Sequence, residues 1–256
     1  MADLIDADDL PAQPVEPPAR TTAYGPEPGQ VYDVRRPAGA ARGVTLVVIH
    51  GGFWRAQWDR EHAAPEAQRL ADLGFGVAVL EYRRVGMPGG GFPGTLEDVR
   101  RGLAAIAADP AFSGPIIAVG HSAGGHLAVW AASQHGMPLS GAVSLGGCVD
   151  LTMTARLHAG SGAVQEFLGG GPDDLPDVYA MADPALLRPL ARVALVHGTD
   201  DEDVPIAVSE SYAAAMERAS TPVRLWRIEG GTHDGLIEPE APEFTTVLEA
   251  IESLAA

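Results

Sequence analysis

The stretch AVGHSAGGHLAVW, residues 118–130, decides how the rest of this 256-residue chain is interpreted. An apolar run ends in Gly-His-Ser-Ala-Gly, and an alanine-rich segment follows it. A Gly-x-Ser-x-Gly pattern between a buried strand and a helix is typical of a nucleophile elbow, a sharp turn that exposes a serine hydroxyl above the edge of a sheet. Glycine is needed on both sides because a Cβ atom there would collide with the neighbouring strand or helix. The pattern therefore predicts that Ser122 is a nucleophile.

Short apolar runs alternate with amphipathic segments along most of the chain. Several runs are apolar at nearly every position, which is typical of parallel strands covered on both faces. This alternation predicts an α/β fold with right-handed crossovers and a doubly wound, mostly parallel sheet. The predicted strands are 31–35, 44–49, 76–82, 116–119, 142–145, 193–196 and 223–228, and the predicted helices lie near 61–73, 95–108, 123–135, 206–219 and 241–254.

Two segments fall outside this alternation. Residues 1–29 are rich in Pro, Asp and Ala and have no apolar periodicity, so we expect a flexible N-terminal arm before a folded domain at 30–256. Residues 151–191 contain no clear strand, and connections of this length are usually lids or caps. We therefore expect a short cap or lid at 151–191.

Composition excludes several classes of function. The net charge is −17, and every one of the 17 basic residues is arginine. Without lysine there is no Schiff-base chemistry and no P-loop. The acidic balance disfavours nucleic acids and anionic membranes as partners. A single cysteine forms no disulfide framework or cysteine-rich metal site, and we expect neither a metal nor an organic cofactor. No secretory signal or bilayer-length apolar window is visible, so we expect a cytoplasmic protein.

A serine nucleophile needs a base, and the base needs an orienting group. In an open α/β sheet these partners come from loops at the carboxyl ends of later strands. The loop HGTDDEDVP offers Asp200, Asp201 and Asp203, and the loop EGGTHDGLIEP offers His233. His126, one helical turn beyond the serine, is the main competitor for the base. The order Ser, Asp, His is that of α/β-hydrolases and differs from that of chymotrypsin-like and subtilisin-like proteases.

Taken together, five motifs resemble the α/β-hydrolase superfamily. Within it they are most similar to the branch of carboxylesterases and kynurenine formamidases (arylformamidases) that carries an HGG-x-W signature. The resemblance covers the chain from about residue 44 to the C-terminus, and it implies an α/β-hydrolase sheet with a short cap. The motifs are HGGFW (50–54), EYR (81–83), GHSAGGHLA (120–128), HGTDDEDVP (197–205) and THDGLIEP (232–239).

The resemblance also assigns roles to individual residues. The family pattern His-Gly-x-x-Asp-x-x-Val-Pro places the orienting acid at Asp201, with Asp203 as the alternative because three acids crowd this loop. By the same resemblance, the backbone N–H groups of Gly52, Phe53 and Ala123 would form the oxyanion hole. Each donor of this kind typically stabilises a transition state by about 3 kcal/mol.

The expected function is that of a serine hydrolase cleaving a carboxylic ester or aryl formamide of a small molecule through an acyl-enzyme. Two alternatives remain at this point: a kynurenine formamidase specifically, and a binding protein without catalysis. Aromatic residues on the loops favour an apolar substrate, with Trp54, Phe92 and Phe167 as candidate contacts. Arg55 or Arg83 could receive the zwitterionic end of N-formylkynurenine. Exposed helices flanking an edge strand could support a homodimer.

Overall fold

A computed structural model describes residues 15–255 of the chain, and these residues are built around one eight-stranded sheet. The apolar runs form its strands, since side chains buried on both faces favour extended backbone between two layers of helices. The strands are β1 Arg20–Ala23, β2 Val31–Arg35, β3 Thr45–Ile49, β4 Gly76–Leu80, β5 Ile116–His121, β6 Gly141–Leu145, β7 Arg192–Gly198 and β8 Arg224–Ile228.

The strand order is β1-β2-β4-β3-β5-β6-β7-β8. All pairings from β4 to β8 are parallel, whereas β1 and β2 join the sheet in antiparallel pairings. β5 therefore lies between β3 and β6 in the interior of the sheet. The predicted doubly wound, mostly parallel α/β fold is confirmed.

Helices cover both faces of this sheet, and alternate residues of one strand show which face each layer packs on. The long helices are α1 Ala64–Asp72, α2 Gly94–Ala108, α3 Ala123–Ala132, α7 Ala207–Arg218 and α8 Glu243–Ala255. On β3, Leu46 and Val48 point into the core beneath α1 and α8, whereas Val47 and Ile49 point into the core beneath α2 and α3. Within residues 15–255, no helix is long and apolar enough to traverse a bilayer.

The expected arm at 1–29 needs a correction, because its second half is part of the sheet. β1 pairs with β2 in register from Arg20 opposite Val34 to Ala23 opposite Val31. The Arg20 guanidinium also pairs with the carboxylate of Asp109, at the end of α2. The sequence RTTA shows no apolar pattern because an edge strand is held by backbone pairing and leaves its side chains exposed. The first 14 residues of the expected arm lie outside the described residues.

The segment expected to form a cap consists of short helices inserted between β6 and β7. They are α4 Leu151–Arg156, α5 Ala163–Leu168 and α6 Pro176–Ala182. The buried carboxylate of Asp183 ties the end of this segment to its beginning, accepting hydrogen bonds from the backbone N–H groups of Leu151 and Thr152, both at 2.9 Å. The Thr152 hydroxyl donates a third bond at 2.8 Å. Residues 151–183 thus form a closed unit beside the sheet.

Candidate active site

Ser122 lies at the turn between β5 and α3 in the strained backbone conformation of a nucleophile elbow. Its φ is 54° and its ψ is −117°, and its N–H donates to the carbonyl of Leu145 at 2.8 Å. A Cβ atom at Gly120 would lie 2.0 Å from the Gly124 carbonyl oxygen, and one at Gly124 would lie 1.9 Å from the Ile49 carbonyl oxygen. Both glycines are therefore required for the helix to approach the strands this closely.

His233 and Asp201 meet in a short, buried hydrogen bond. The two residues come from the loops after β8 and β7, and His233 Nδ1 lies 2.7 Å from Asp201 Oδ2. Because a carboxylate only accepts, Nδ1 carries the proton and Nε2 keeps its lone pair. Asp201 Oδ1 accepts from the N–H groups of Asp203 at 3.0 Å and Val204 at 2.8 Å. The structure thus brings His233 together with Asp201, and the Asp203 side chain makes no such contact.

His121, the residue before the serine, connects the elbow to the loop that carries His233. The two imidazole rings lie 4.4 Å apart between centroids, and His121 Nε2 donates to the His233 carbonyl oxygen at 3.1 Å. His121 Nδ1 is buried without a partner. Within residues 15–255, no hydrogen bond joins Ser122 Oγ to His233 Nε2. Such bonds are often long in unliganded enzymes and shorten when substrate binds.

The surroundings of Asp201 and His233 shift their pKa values in opposite directions. Burial alone would raise the pKa of Asp201, but hydrogen bonds from His197 and His233 hold that pKa well below its ordinary value. Burial alone would lower the pKa of His233, yet the adjoining carboxylate of Asp201 raises it above its ordinary value. The pair is therefore arranged as a carboxylate that stabilises positive charge on the imidazole.

The loop after β3 contains two of the three predicted oxyanion donors, Gly52 and Phe53. Gly52, Phe53 and Trp54 have φ values of 99°, 52° and 56° in succession. Among the described residues, the backbone N–H groups of Gly52 and Phe53 donate to no acceptor. Ala123 is the first residue of α3, where the helix leaves N–H groups unpaired. The three predicted donors thus come from two segments that meet at the end of β3 and β5.

His50 anchors this loop from the core side. Its Nδ1 lies 2.8 Å from the Gly51 carbonyl oxygen, and its Nε2 lies 3.1 Å from the buried carboxylate of Glu81. The Tyr82 ring stacks on the imidazole at 4.5 Å, and its hydroxyl donates to the His50 carbonyl at 3.0 Å. The HGG and EYR motifs are therefore parts of one buried structural unit.

The cap contacts the same loop from the solvent side. The ring of Phe53 fills the space beside Gly160, where a Cβ atom would lie 2.3 Å from it. Arg55 pairs with Glu166 on α5 at 2.8 Å. The segment with the candidate oxyanion donors is thus clamped between the core and the cap.

Two of the three expected substrate contacts are not supported. Trp54 and Phe167 stack on each other with centroids 4.8 Å apart, and they are 0% and 1% exposed. A ligand cannot touch either ring without displacing its neighbours, so both pack the interface between the loop and the cap. Aromatic residues on loops carry no sequence signal that separates a buried ring from an accessible one.

Phe92, the third expected contact, lines a cavity of about 430 Å³ between α2, α3 and α6. None of the residues lining this cavity belongs to the elbow, the His233 loop or the Asp201 loop. Contact of Phe92 with substrate stays a prediction. The other lining residues are Pro93, Leu96, Glu97, Arg100, Trp130, Gln134, Ala180, Met181 and Leu187.

A larger groove of about 840 Å³ was missed by the sequence prediction, and it is lined by neighbours of the candidate site residues rather than by Ser122, His233 or Asp201 themselves. It is lined by Trp58, whose side chain covers Gly52, and by Asp234, which follows the candidate base. His62 also lines it, with its ring 4.9 Å from Trp58 and 6.4 Å from His121. His62 lies in the short 3₁₀ helix Arg60–Ala63, its side chain is half-buried, and burial lowers its pKa. The signal that could have found the groove is Trp58, which follows the HGGFW motif.

His126, the competing candidate base, has no lone pair available for this role. The Trp54 indole donates to His126 Nδ1 at 3.2 Å, and His126 Nε2 donates to the Ala182 carbonyl at 2.9 Å. Burial lowers the pKa of the imidazole to about 4. His126 therefore joins α3 to the cap as a neutral ring.

Comparison with known families bears on this geometry, since the BD-FAE family model matches residues 32–216. The chain belongs to the BD-FAE family. The matched region runs from β2 into α7, so it includes the loop after β3, the elbow, the cap and the Asp201 loop. His233 lies beyond the matched region.

Curated relatives of this BD-FAE chain are esterases by name. A probable isoprenylcysteine alpha-carbonyl methylesterase, ICME, of Oryza sativa subsp. japonica is 26% identical over 243 residues, 84% of this chain and 57% of that protein. The esterase LipQ of Mycobacterium tuberculosis is 27% identical over 223 residues, 77% of this chain and 52% of that protein. The chain thus spans little more than half the length of these relatives.

Solved structures show the same architecture. A truncated carbohydrate esterase from gut microbiota superposes with a TM-score of 0.79 at 18% identity, over 94% of this chain and 99% of that one. A thermophilic esterase of Thermogutta terrifontis with propionate bound gives a TM-score of 0.72 at 21% identity, over 93% of each chain. These likenesses establish the α/β-hydrolase fold. The arylformamidase branch of the resemblance stays a prediction.

Proposed function

We propose that this BD-FAE chain is a serine hydrolase that cleaves carboxylic esters of small molecules through an acyl-enzyme. The observation that carries the proposal is the buried His233–Asp201 hydrogen bond beside a serine in elbow conformation. His121 links the two parts, because its ring packs on His233 and its backbone continues into the serine. The proposal therefore assigns Ser122 as nucleophile, His233 as base and Asp201 as orienting acid, the three roles that acyl transfer requires.

In the acylation step, Ser122 Oγ attacks the carbonyl carbon of the ester while its proton passes to His233 Nε2. Asp201 keeps the imidazole in the tautomer that accepts this proton and stabilises the imidazolium that forms. The N–H groups of Gly52, Phe53 and Ala123 stabilise the negative charge on the carbonyl oxygen. Ala123 lies at the N-terminus of α3, where the helix dipole favours negative charge.

The intermediate collapses when the bond to the leaving alcohol breaks. His233 returns its proton to that alcohol, and the acyl group stays on Ser122 as an ester. A water molecule then transfers a proton to His233 and attacks the acyl carbon, and the carboxylic acid leaves as Ser122 recovers its proton. The products are one alcohol and one acid for each ester consumed.

The proposal places the substrate in the groove lined by Trp58, the residue that packs on Gly52. The groove with Trp58 and His62 has a volume of about 840 Å³, within the range of roughly 300–1,000 Å³ common for small-molecule sites. The thermophilic esterase with a similar fold was solved with propionate and with butyrate bound, which makes short acyl chains suitable probes for this chain.

The formamidase alternative finds no comparable support. N-formylkynurenine carries a carboxylate that a site should meet with a cation, and Arg55 and Arg83 were the expected candidates. Arg55 is paired with Glu166 at 2.8 Å, and Arg83 is paired with the buried carboxylate of Asp98 at 2.7 Å. Both guanidinium charges are thus already matched by a carboxylate of the protein, which weakens their attraction for a carboxylate of the substrate.

The test combines turnover with covalent labelling of the full chain. We expect hydrolysis of p-nitrophenyl acetate and propionate, and stoichiometric labelling of Ser122 by a fluorophosphonate, located by peptide mass spectrometry. Ser122→Ala should abolish both with an unchanged circular dichroism spectrum. Ser144→Ala is the matched control, because Ser144 Oγ is also buried and has no hydrogen-bond partner.

Three results would overturn the proposal: a folded wild-type chain that a fluorophosphonate does not label, labelling on another serine, or Ser122→Ala with normal turnover. The first would identify a binding protein without catalysis. Faster cleavage of N-formylkynurenine than of either ester would instead replace the ester by the formamide as substrate.

A further inference from the structure

A second histidine, His197, contacts the carboxylate of Asp201. It lies in β7, four residues before Asp201, and is fully buried. Its Nε2 lies 3.2 Å from Asp201 Oδ2, the oxygen that receives the hydrogen bond from His233. One carboxylate oxygen therefore lies between two imidazoles.

The other contacts of His197 determine which nitrogen carries its proton. Nε2 also lies 2.7 Å from the carbonyl oxygen of Val204, and neither this oxygen nor the carboxylate can donate. Nε2 is therefore protonated and is shared between the two acceptors. Nδ1 lies 2.7 Å from the hydroxyl of Ser209 on α7, which donates to it. A neutral His197 thus satisfies all of its contacts.

These contacts hold the Asp201 loop at both ends. His197 Nε2 donates to the Val204 carbonyl oxygen, and the Val204 N–H donates to Asp201 Oδ1 at 2.8 Å. The carboxylate cannot rotate about its Cβ–Cγ bond without breaking a contact to His197 or to the backbone. Its Oδ2 is therefore fixed in the direction of His233.

We propose that His197 is a positioning residue, which aims Asp201 Oδ2 at His233 and moderates the basicity of that oxygen through a second N–H donor. The inference rests on the proposed function and identifies a residue outside the triad on which turnover depends. His197 touches neither substrate nor the reacting atoms, so its effect passes entirely through Asp201.

Three variants of His197 separate positioning from simple packing. Glutamine places an amide donor near the site of Nε2, asparagine places one near Nδ1 and cannot reach Asp201, and leucine removes both. We expect His197→Leu and His197→Asn to lower kcat about 10- to 100-fold, with KM within about twofold. His197→Gln should recover kcat to within about threefold of the wild type.

The pH dependence provides a readout that packing alone does not change. Without the N–H of His197, Oδ2 becomes more basic and holds the proton on His233 more strongly. The acid limb of kcat/KM should therefore move to higher pH by about half a unit in His197→Leu, and return in His197→Gln. The other groups facing His233 are unchanged in these variants: Asp203, Asp234, His121 and His62.

His126→Leu is the matched control, since it removes another buried imidazole that does not contact Asp201. If His197 serves only packing, His197→Leu will resemble His126→Leu, with a lower Tm and an unmoved acid limb, and the inference fails. Should the leucine variant not fold, equal activities of His197→Gln and His197→Asn would overturn it. Fluorophosphonate labelling of the wild type distinguishes this failure from failure of the proposed function.

Discussion

Replacing Asp201 by asparagine should nearly abolish turnover without unfolding the chain, because the structure gives an amide no suitable orientation. Two donors face Oδ2, from His233 and His197, and two backbone N–H groups face Oδ1. The backbone donors are fixed, whereas His233 can change its tautomer. The amide nitrogen will therefore lie on the His233 side and donate to Nδ1, which moves the imidazole proton to Nε2. That nitrogen then cannot accept a proton from Ser122.

The magnitude follows from this loss of the reactive tautomer. In a serine protease, the corresponding change lowers kcat about 10⁴-fold. At about 1.4 kcal/mol for each factor of ten, this is about 5 kcal/mol of lost transition-state stabilisation. We expect Asp201→Asn to show a decrease of this order in kcat for p-nitrophenyl acetate, with KM changed by less than about threefold.

The pH profile supplies a second measure of the same variant. His233 must be neutral to act as a base, and its pKa is raised above the ordinary value in the wild type. Activity should therefore be lost as the pH falls through a value above about 6.5. Removing the Asp201 charge lowers the pKa of His233, so the residual activity of Asp201→Asn should persist to lower pH than that of the wild type.

Asp203→Asn is the control, because Asp203 lies in the same loop and its carboxylate makes no hydrogen bond to His233 within the described residues. It should retain kcat within about twofold. The reasoning is refuted if Asp201→Asn loses less than tenfold in kcat, or if Asp203→Asn loses more than Asp201→Asn. Either result would assign the orienting role to another carboxylate.

Three further predictions concern the base, the elbow and a buried acid. His126→Gln should keep kcat within about fivefold of the wild type, while His233→Gln should lower kcat at least about 10³-fold. A larger loss of kcat in His126→Gln than in His233→Gln, measured by initial rates, would assign the base to His126. Gly124→Ala should give no folded protein, since its Cβ would lie 1.9 Å from a backbone oxygen of β3, whereas Gly171→Ala should fold normally, as judged by circular dichroism. Burial raises the pKa of Glu66 to about 8, so its contribution to stability is present below pH 4.5 and lost as the pH rises towards 8. Glu66→Gln should therefore raise Tm relative to the wild type at pH 8 but not at pH 4.5, and an equal Tm difference at both values would show that Glu66 does not titrate this way.

Buried parallel strands could be predicted from the sequence because their environment dictates their composition. The run predicted at 116–119 is β5 Ile116–His121, and the run at 44–49 is β3 Thr45–Ile49. β1 escaped prediction because it is an edge strand, whose residues satisfy the backbone of β2 without burying apolar side chains. Pairing of this kind depends on a distant partner and leaves no local pattern.

In the candidate site, the order of the residues along the chain could be predicted, but the direction of their side chains could not. The order of Ser122, the acidic loop and His233 follows from motif spacing, but the choice between Asp201 and Asp203 depends on which carboxylate points at the imidazole. That direction is set by backbone N–H groups and by His197, none of which is visible in a count of acids. Trp54 and Phe167 show a second limit of the sequence. As aromatic residues on loops they were predicted to contact substrate, but their rings stack on each other and leave no face for a ligand.

Segment 151–183 contacts the loop after β3, which carries two of the three proposed oxyanion donors. Phe53 fits against Gly160 and Arg55 pairs with Glu166, so neighbours of the candidate donors are held by the cap. The stack of Trp54 on Phe167 contributes about 0.5–1.5 kcal/mol beyond burial, and the partly exposed Arg55–Glu166 ion pair contributes about 0–1 kcal/mol. Losing these contacts would therefore cost little per contact but would leave the strained backbone of Phe53 and Trp54, both with positive φ, without this support. We therefore expect loss of these contacts to lower kcat, because the proposed donors Gly52 and Phe53 lie in this loop.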